Sequence, residues 1–308
     1  MFNRKKNRIM KSKNDYLYGF NSRKSNLKIK EMKTTHKIVL FSKSLVFMLA
    51  LILVSSTGCQ KDKNESDLKP APDLPPQTSM VIDFSDFTDV DTTFKSTDTY
   101  INWGWAALNV NVWNVIKTIT LAVPVAAFYE SFNHEGVYFP QTDEWVWSYN
   151  FMAGGVAHQA SLHASLVADG VLWKMYISKA NAYNDFLWYY GTTGLTNKTA
   201  VWHMNEKPGN PVEILLIEYE KDTQSGIEQI KYTNVNPVSP GNGGYVQYGT
   251  GNSLDFDAFY NIYIIEHDNM INIEWNRDMK DGRVRDEVHF GDFEWRCWDT
   301  DLQDITCP

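Results

Sequence analysis

A few groups of residues in this chain have the types from which catalytic or metal sites are built. His158 and His163 lie five apart in a stretch that alternates like a β-strand. An odd separation turns two strand residues to opposite faces, so these imidazoles do not share a metal ion. Glu266, His267 and Asp268 bring two carboxylates and an imidazole together, but they run into Asn269, where a hairpin is expected to turn. They read as solvated turn residues. Asp255 and Asp257 fall on one face ahead of a strand expected over 258–266. Such a pair can bind calcium, or act as acid and base on a glycosidic bond when the carboxyl groups stand roughly 5–10 Å apart. Asp299, Asp301 and Asp304 crowd the C-terminus without the ligand spacing of a calcium-binding loop. No H-E-x-x-H, C-x-x-C, G-x-S-x-G or phosphate-loop pattern occurs. The sequence therefore assigns no catalytic residue, no metal site and no cofactor.

Aromatic residues offer a different chemistry. The chain has 11 Trp and 16 Tyr. Exposed rings stack on sugars or line cavities for small apolar ligands. Trp145, Trp147, Trp173, Trp188 and Tyr190 are the candidates, because they sit on strongly alternating stretches, and Phe186 to Tyr190 carries rings on both faces of one strand. The competing reading is that these rings fill the core of a wide β-structure.

The elements that would position these residues follow from periodicity. Met80 to Phe87 alternates like a first strand. From 102 to 132 the period changes: Trp105, Leu108, Val112, Val115, Ile119 and Ala122 recur at three or four residues, which is helical spacing. Pro124 should kink that helix or start a second one, running to about Phe132. Leu108 to Trp113 also alternates, so a strand there is the alternative. From Val137 onward the period is two. Strands are expected around Trp145–Met152 and Val171–Ile177, and near 157–168, 185–192, 198–206, 211–220, 226–234, 243–249, 258–266, 270–276 and 283–291. Turn signals such as Gly154-Gly155, Asp169-Gly170 and Asp281-Gly282 separate them. Many short strands without strand–helix alternation predict a mainly β (α+β) fold: an antiparallel meander, barrel or sandwich of about ten strands, lipocalin-like if closed, with one kinked or two short N-terminal helices packed on it.

The termini carry a separate signal. Leu45 to Val54 is an apolar run of ten residues. That is short of the roughly 20 needed to span a bilayer, but it suits the core of a signal peptide behind Lys33, Lys37 and Lys43. It leads into Ser56-Thr57-Gly58-Cys59. Gly-Cys after an apolar core resembles the lipobox of bacterial lipoproteins. With the Pro-rich segment that follows and the aromatic β-rich remainder, the chain resembles Bacteroidota-type envelope lipoproteins. The resemblance implies lipidation of Cys59, cleavage before it, and a membrane anchor in the bacterial cell envelope, at the outer membrane. Stable anchoring takes more than one acyl chain, each buried CH₂ contributing about 0.8 kcal/mol. The organisation read from sequence is an N-terminal extension over 1–31, a signal peptide over 32–58, a Pro-rich tether over 59–78 and one β-rich domain over 79–308. Cys297 and Cys307, ten apart, are expected to form a disulfide in an oxidising compartment, with two free thiols the alternative.

Charge then narrows the partners. Removing the 13 basic and two acidic residues of 1–58 from the totals of 29 and 37 leaves 16 and 35, a net charge of −19. Phosphate contacts need cationic surface, so nucleic acid is excluded as a partner. The sequence reading is a non-catalytic, tethered envelope domain that binds a glycan, a small apolar ligand or a partner protein. A carbohydrate-active hydrolase with an Asp/Glu pair and a structural envelope component are its rivals.

Overall fold

The computed structural model describes residues 69–82, 87, 99–251 and 255–308. Cys59, the extension, the signal segment, residues 59–68 of the expected tether and residues 83–86 of the strand expected over Met80–Phe87 lie outside them, and the described residues 80–82 and 87 of that stretch are not strand. Helices α1 (Ile101–Thr120) and α2 (Ala122–Ser131) come first and break at Leu121. Pro124 falls in the first turn of α2, where its missing N–H leaves no helical bond unmade. Helix, not strand, is thus the outcome for Leu108–Trp113.

Fourteen strands follow: β1 (Val137–Phe139), β2 (Glu144–Ala153), β3 (Val156–Val167), β4 (Gly170–Lys179), β5 (Tyr183–Gly194), β6 (Thr199–Lys207), β7 (Asn210–Lys221), β8 (Glu228–Asn234), β9 (Tyr245–Thr250), β10 (Ala258–Ile264), β11 (Asn269–Trp275), β12 (Gly282–Asp286), β13 (Arg296–Trp298) and β14 (Asp304–Ile305). They form one antiparallel sheet in sequence order. The meander is the alternative realised. β1 pairs with β2 and β14 with β13, and the two do not pair with each other, so the lipocalin-like closed barrel does not form. The strand expected over 283–291 stops at Asp286. That residue's carboxylate accepts the His289 N–H and caps a single helical turn, α3 (Glu287–Phe290).

One face of the sheet is the core. Trp145, Trp147, Leu162, Trp173, Met175, Tyr189, Trp202, Ile217, Tyr232, Tyr260, Ile273 and Trp298 all point there and are buried. A fully buried Trp removes roughly 150–250 Å² from water, about 4–6 kcal/mol of gross transfer free energy. The helices cover this face: α2 packs on β2, and α1 on β12, β13 and β14. A helical pair that reaches both ends of the sheet requires the sheet to curl around it.

The rest of the inner face is crossed by a strap. Residues 69–78, expected as free tether, dock on the sheet together with residues 79–82. Inward-pointing rings hold its backbone by their polar tips. Trp145 Nε1 donates to the Lys69 carbonyl at 2.9 Å, Trp202 Nε1 to that of Ser79 at 3.0 Å, and the Tyr232 hydroxyl to that of Met80 at 2.5 Å. Asn197 adds a bond to the Leu74 carbonyl, and Phe87 packs edge-on against Tyr260 and Trp275. The strap has no strand partner, so its carbonyls would be buried without bonds unless side chains supplied them. This accounts for three of the inward rings, Trp145, Trp202 and Tyr232. Trp and Tyr fill volume and carry a donor at the far end.

The C-terminus is fixed to α1. Asp304 accepts the backbone N–H groups of Ile101 and Asn102, and Asn102 donates to the Cys297 carbonyl. Cys297 and Cys307 form the disulfide, with Cα atoms 5.1 Å apart. Asp286, only 1 % exposed, is held by Trp105 Nε1 at 3.0 Å and Asn269 Nδ2 at 2.9 Å. Gly282 stands in one register row between Trp275 and Trp298, and a Cβ there would collide with the Trp298 ring, the Glu274 carbonyl oxygen and the Trp275 Cβ.

The other face is polar. Across β7 to β12 its side chains form one directed chain of hydrogen bonds. Arg285 donates to Asn272, Asn272 to Asn261, Asn261 to Gln247, Gln247 to Gln229 and Gln229 to Glu220, at 2.8–3.4 Å. The chain starts at a cation and ends at a carboxylate, so every dipole along it points the same way.

Candidate functional site

The outer face of β2 to β5 is arranged differently. Register places Ser148, Ser161 and Tyr176 in one row across β2, β3 and β4, and Asn150, Gln159 and Ser178 in the next. These rows line two adjoining cavities of about 570 and 400 Å³ that share Asn150, Gln159, Ser178 and Asn184. The pair reads as one groove, open to solvent and walled at one end by the β4–β5 hairpin with Lys179, Asn181 and Tyr183.

Local sequence builds that end. Lys179 and Tyr183 close the hairpin, and the β4–β5 register shifts twice on the way into it. Asn181 and Asp185 take positive φ angles of 60° and 46°, which Asn and Asp tolerate better than most residues. Such bulges re-aim side chains at the rim of a site. Ser178 Oγ accepts the Asp185 N–H at 2.8 Å and faces the Asn184 and Asp185 side chains at 3.3 Å. Burial raises the Tyr183 hydroxyl above its ordinary pKa, so it remains a neutral donor at neutral pH. The Ser148, Asn150 and Gln159 side chains are exposed and make no hydrogen bond to another described residue.

One relay stands at the other end of the groove. The His163 ring lies with Nδ1 3.1 Å from Glu144 Oε2 and Nε2 3.0 Å from Ser161 Oγ. Ser161 and His163 are two apart on β3 and so share a face, and Glu144 reaches them from the start of β2. An ionised carboxylate only accepts, so Nδ1 carries the proton. On a neutral ring Nε2 is then the acceptor, and the Ser161 hydroxyl donates to it. Tyr176 packs edge-on to the ring at 5.2 Å.

A second imidazole–carboxylate pair lies on the same face, His203 Nδ1 to Glu213 Oε1 at 2.8 Å. There Tyr190 stacks on the ring at 4.8 Å, its hydroxyl 3.5 Å from Glu213. Burial first, and the Glu213 charge second, raise the Tyr190 pKa. No serine completes this pair among the described residues.

The residues singled out from sequence distribute as follows. Trp145, Trp147, Trp173 and Trp188 are 3, 2, 0 and 6 % exposed and belong to the core, so their rings have no free face for a sugar. Tyr190 is the one of the five on the outer face. His158 and His163 do lie on opposite faces. His158 is buried, stacks on Phe151 and sits 2.9 Å from the Val156 carbonyl. Asp257 pairs with Arg277 at 2.9 Å, not with Asp255. Glu266 and His267 form a 3-10 turn closed by Asp268 at φ 47°. Asp304 serves as helix cap, and Asp299 accepts the N–H groups of Asp301 and Gln303.

Sequence reasoning passed over Ser161, Glu144, Ser148, Asn150 and Gln159. A serine two residues before a histidine on an alternating stretch was a visible signal for half of the relay. Glu144 had none, because its approach depends on the β2–β3 register. No protein-family model, curated protein sequence or solved structure matches this chain.

Proposed function

We propose that this chain is a lipid-anchored protein of the bacterial cell envelope, held through Cys59, whose β domain binds a neutral glycan in the outer groove of β2 to β5. The observation that carries the reading is the set of exposed Ser148, Asn150 and Gln159 side chains, none bonded to another described residue, beside Tyr176 and Tyr183. Amides and hydroxyls match the paired donors and acceptors of sugar hydroxyls, and tyrosine rings match the apolar faces of sugar rings. The inner face supports an apolar ligand less well, because the helices, the strap and the buried rings occupy it. A net charge of −19 after the signal segment disfavours anionic glycans and phosphorylated ligands.

Two measurements test this. A glycan array probed with the full chain should give binders whose affinity drops about tenfold, near 1.4 kcal/mol, in the Asn150→Ala/Gln159→Ala variant. Binding unchanged by that variant would place the site elsewhere. Labelled palmitate should enter the protein in bacterial cells and be lost in Cys59→Ala; retained label would refute the anchor.

A further inference from the structure

The geometry points to Ser161 as a nucleophile for acyl transfer, with His163 as its general base and Glu144 as the group that orients His163, acting on a carboxylic ester presented in the groove. This activity goes beyond glycan binding and does not depend on it.

Three observations converge on Ser161. Its Oγ lies 3.0 Å from His163 Nε2, within reach for direct proton transfer. Glu144, 3.1 Å from Nδ1, fixes the tautomer that leaves Nε2 free to accept, and its charge stabilises the imidazolium that forms when the proton moves. Ser161 also lines the 400 Å³ cavity, so a reacting carbonyl has an approach. Nucleophile, base and orienting acid are recognised by these roles and distances, not by chain order. The His203–Glu213 pair serves as an internal contrast. It has the same imidazole–carboxylate contact, but no hydroxyl of the described residues bonds to its Nε2, and Tyr190 covers its ring.

The steps balance without a further reactant except water. Ser161 Oγ bonds to the ester carbonyl carbon as its proton passes to His163 Nε2. The tetrahedral adduct collapses, the carbon–oxygen bond to the leaving alcohol breaks, and that oxygen takes the proton from Nε2. Water then attacks the acyl carbon as its proton passes to His163 Nε2, the bond from that carbon to Ser161 Oγ breaks, Oγ takes the proton back from Nε2, and the carboxylic acid leaves. The oxyanion needs donors, and the β3 backbone is engaged on both edges by β2 and β4. Ser148 and Tyr176, the register partners of Ser161 on either side, line the same cavity, and their hydroxyls are the donors this proposal assigns to it. A groove of this size suits a short acyl group on a polar alcohol.

The test uses the full-length protein, a fluorophosphonate probe and p-nitrophenyl acetate, with adducts mapped by peptide mass. The expected result is a phosphonylated and acetylated Ser161. Ser161→Ala should lose the adduct completely, and His163→Ala should slow its formation by about 10²–10⁴-fold. Glu144→Gln, which preserves shape but releases the tautomer, should also slow it. Ser165→Ala, on the same face of β3, should label at the wild-type rate. Circular dichroism confirms that each variant is folded. Absence of an adduct at Ser161 in folded protein, or labelling there at an unchanged rate in His163→Ala, overturns the proposal. Failure of glycan binding with intact labelling would sink the binding reading and leave this one standing.

Discussion

Across β7 to β12 the outward polar side chains bond to one another from Arg285 to Glu220, whereas across β2 to β5 they line a groove with donors and acceptors left over. Both regions are parts of one sheet, over one aromatic core, with the same alternation in sequence. The difference is hydrogen-bond saturation. An amide whose bonds are made within the protein gains little by exchanging them for a ligand, because its net hydrogen bond is worth only about 0.5–1.5 kcal/mol and would have to be broken first. An amide facing water exchanges one mobile partner for another. The saturated region stabilises the sheet. The unsaturated region is available for recognition and, through Ser161, for chemistry.

The comparison can be broken at its base. If the regions differ only on their outer surfaces, the core beneath each should contribute alike. Trp173→Ala under the groove and Trp275→Ala under the saturated chain should each cost about 3–5 kcal/mol in urea unfolding. A loss of less than about 1 kcal/mol at either position would show that the two regions rest on different foundations.

A smaller effect should separate the outer surfaces. Asn272→Ala removes the acceptor of Arg285 and the donor to Asn261, and should cost roughly 1 kcal/mol of stability while leaving ligand binding intact. Asn150→Ala should do the reverse: stability within about 0.5 kcal/mol of the parent, with weakened binding. If Asn150 carries stability and Asn272 carries binding, the assignment is inverted.

The smallest effect is a pH dependence from partly buried carboxylates of the saturated region. Burial pushes the Glu228 carboxyl up, but hydrogen bonds from Lys221, Thr78 and Tyr219 outweigh it and hold the pKa below the ordinary 4.5. At Asp257 burial likewise pushes up, and the Arg277 backbone N–H and guanidinium outweigh it to hold the pKa below 3.8. A folded-state pKa that is lowered contributes stability above the unfolded value and loses it as pH falls through the folded one. The urea midpoint should therefore decline as pH drops below about 4.5, and Glu228→Gln should flatten that decline. A midpoint that rises on acidification would contradict it.

Most strands were legible because one face is buried along the whole sheet, so period-two alternation survives from β2 to β12. Trp145, Trp147, Tyr149 and Phe151 announced a shared face, but not that helices and a strap would cover it. That depends on α1 bonding to Asp304 about 200 residues later, and the sequence carries no local mark of it. Pro70 to Pro76 read as free tether for the same reason: an extended Pro-rich segment looks alike whether solvated or docked, and the Trp and Tyr donors that hold it come from distant strands. At the site, Ser161 and His163 could be paired by spacing alone. Ser148, Asn150 and Tyr176 join them only through register.

The amino-acid sequence by itself determined the β class, the interruption of the helical stretch near Pro124 and most turn positions, and it marked Cys297 and Cys307 as the expected disulfide. Each rests on periodicity, proline geometry or proximity along the chain. Tertiary structure alone decided that the sheet stays open, that the tryptophans face a core, and that Glu144 meets His163 and Ser161. These depend on which strands lie side by side and what covers them, and a single residue's spacing along the chain does not encode its neighbours across it.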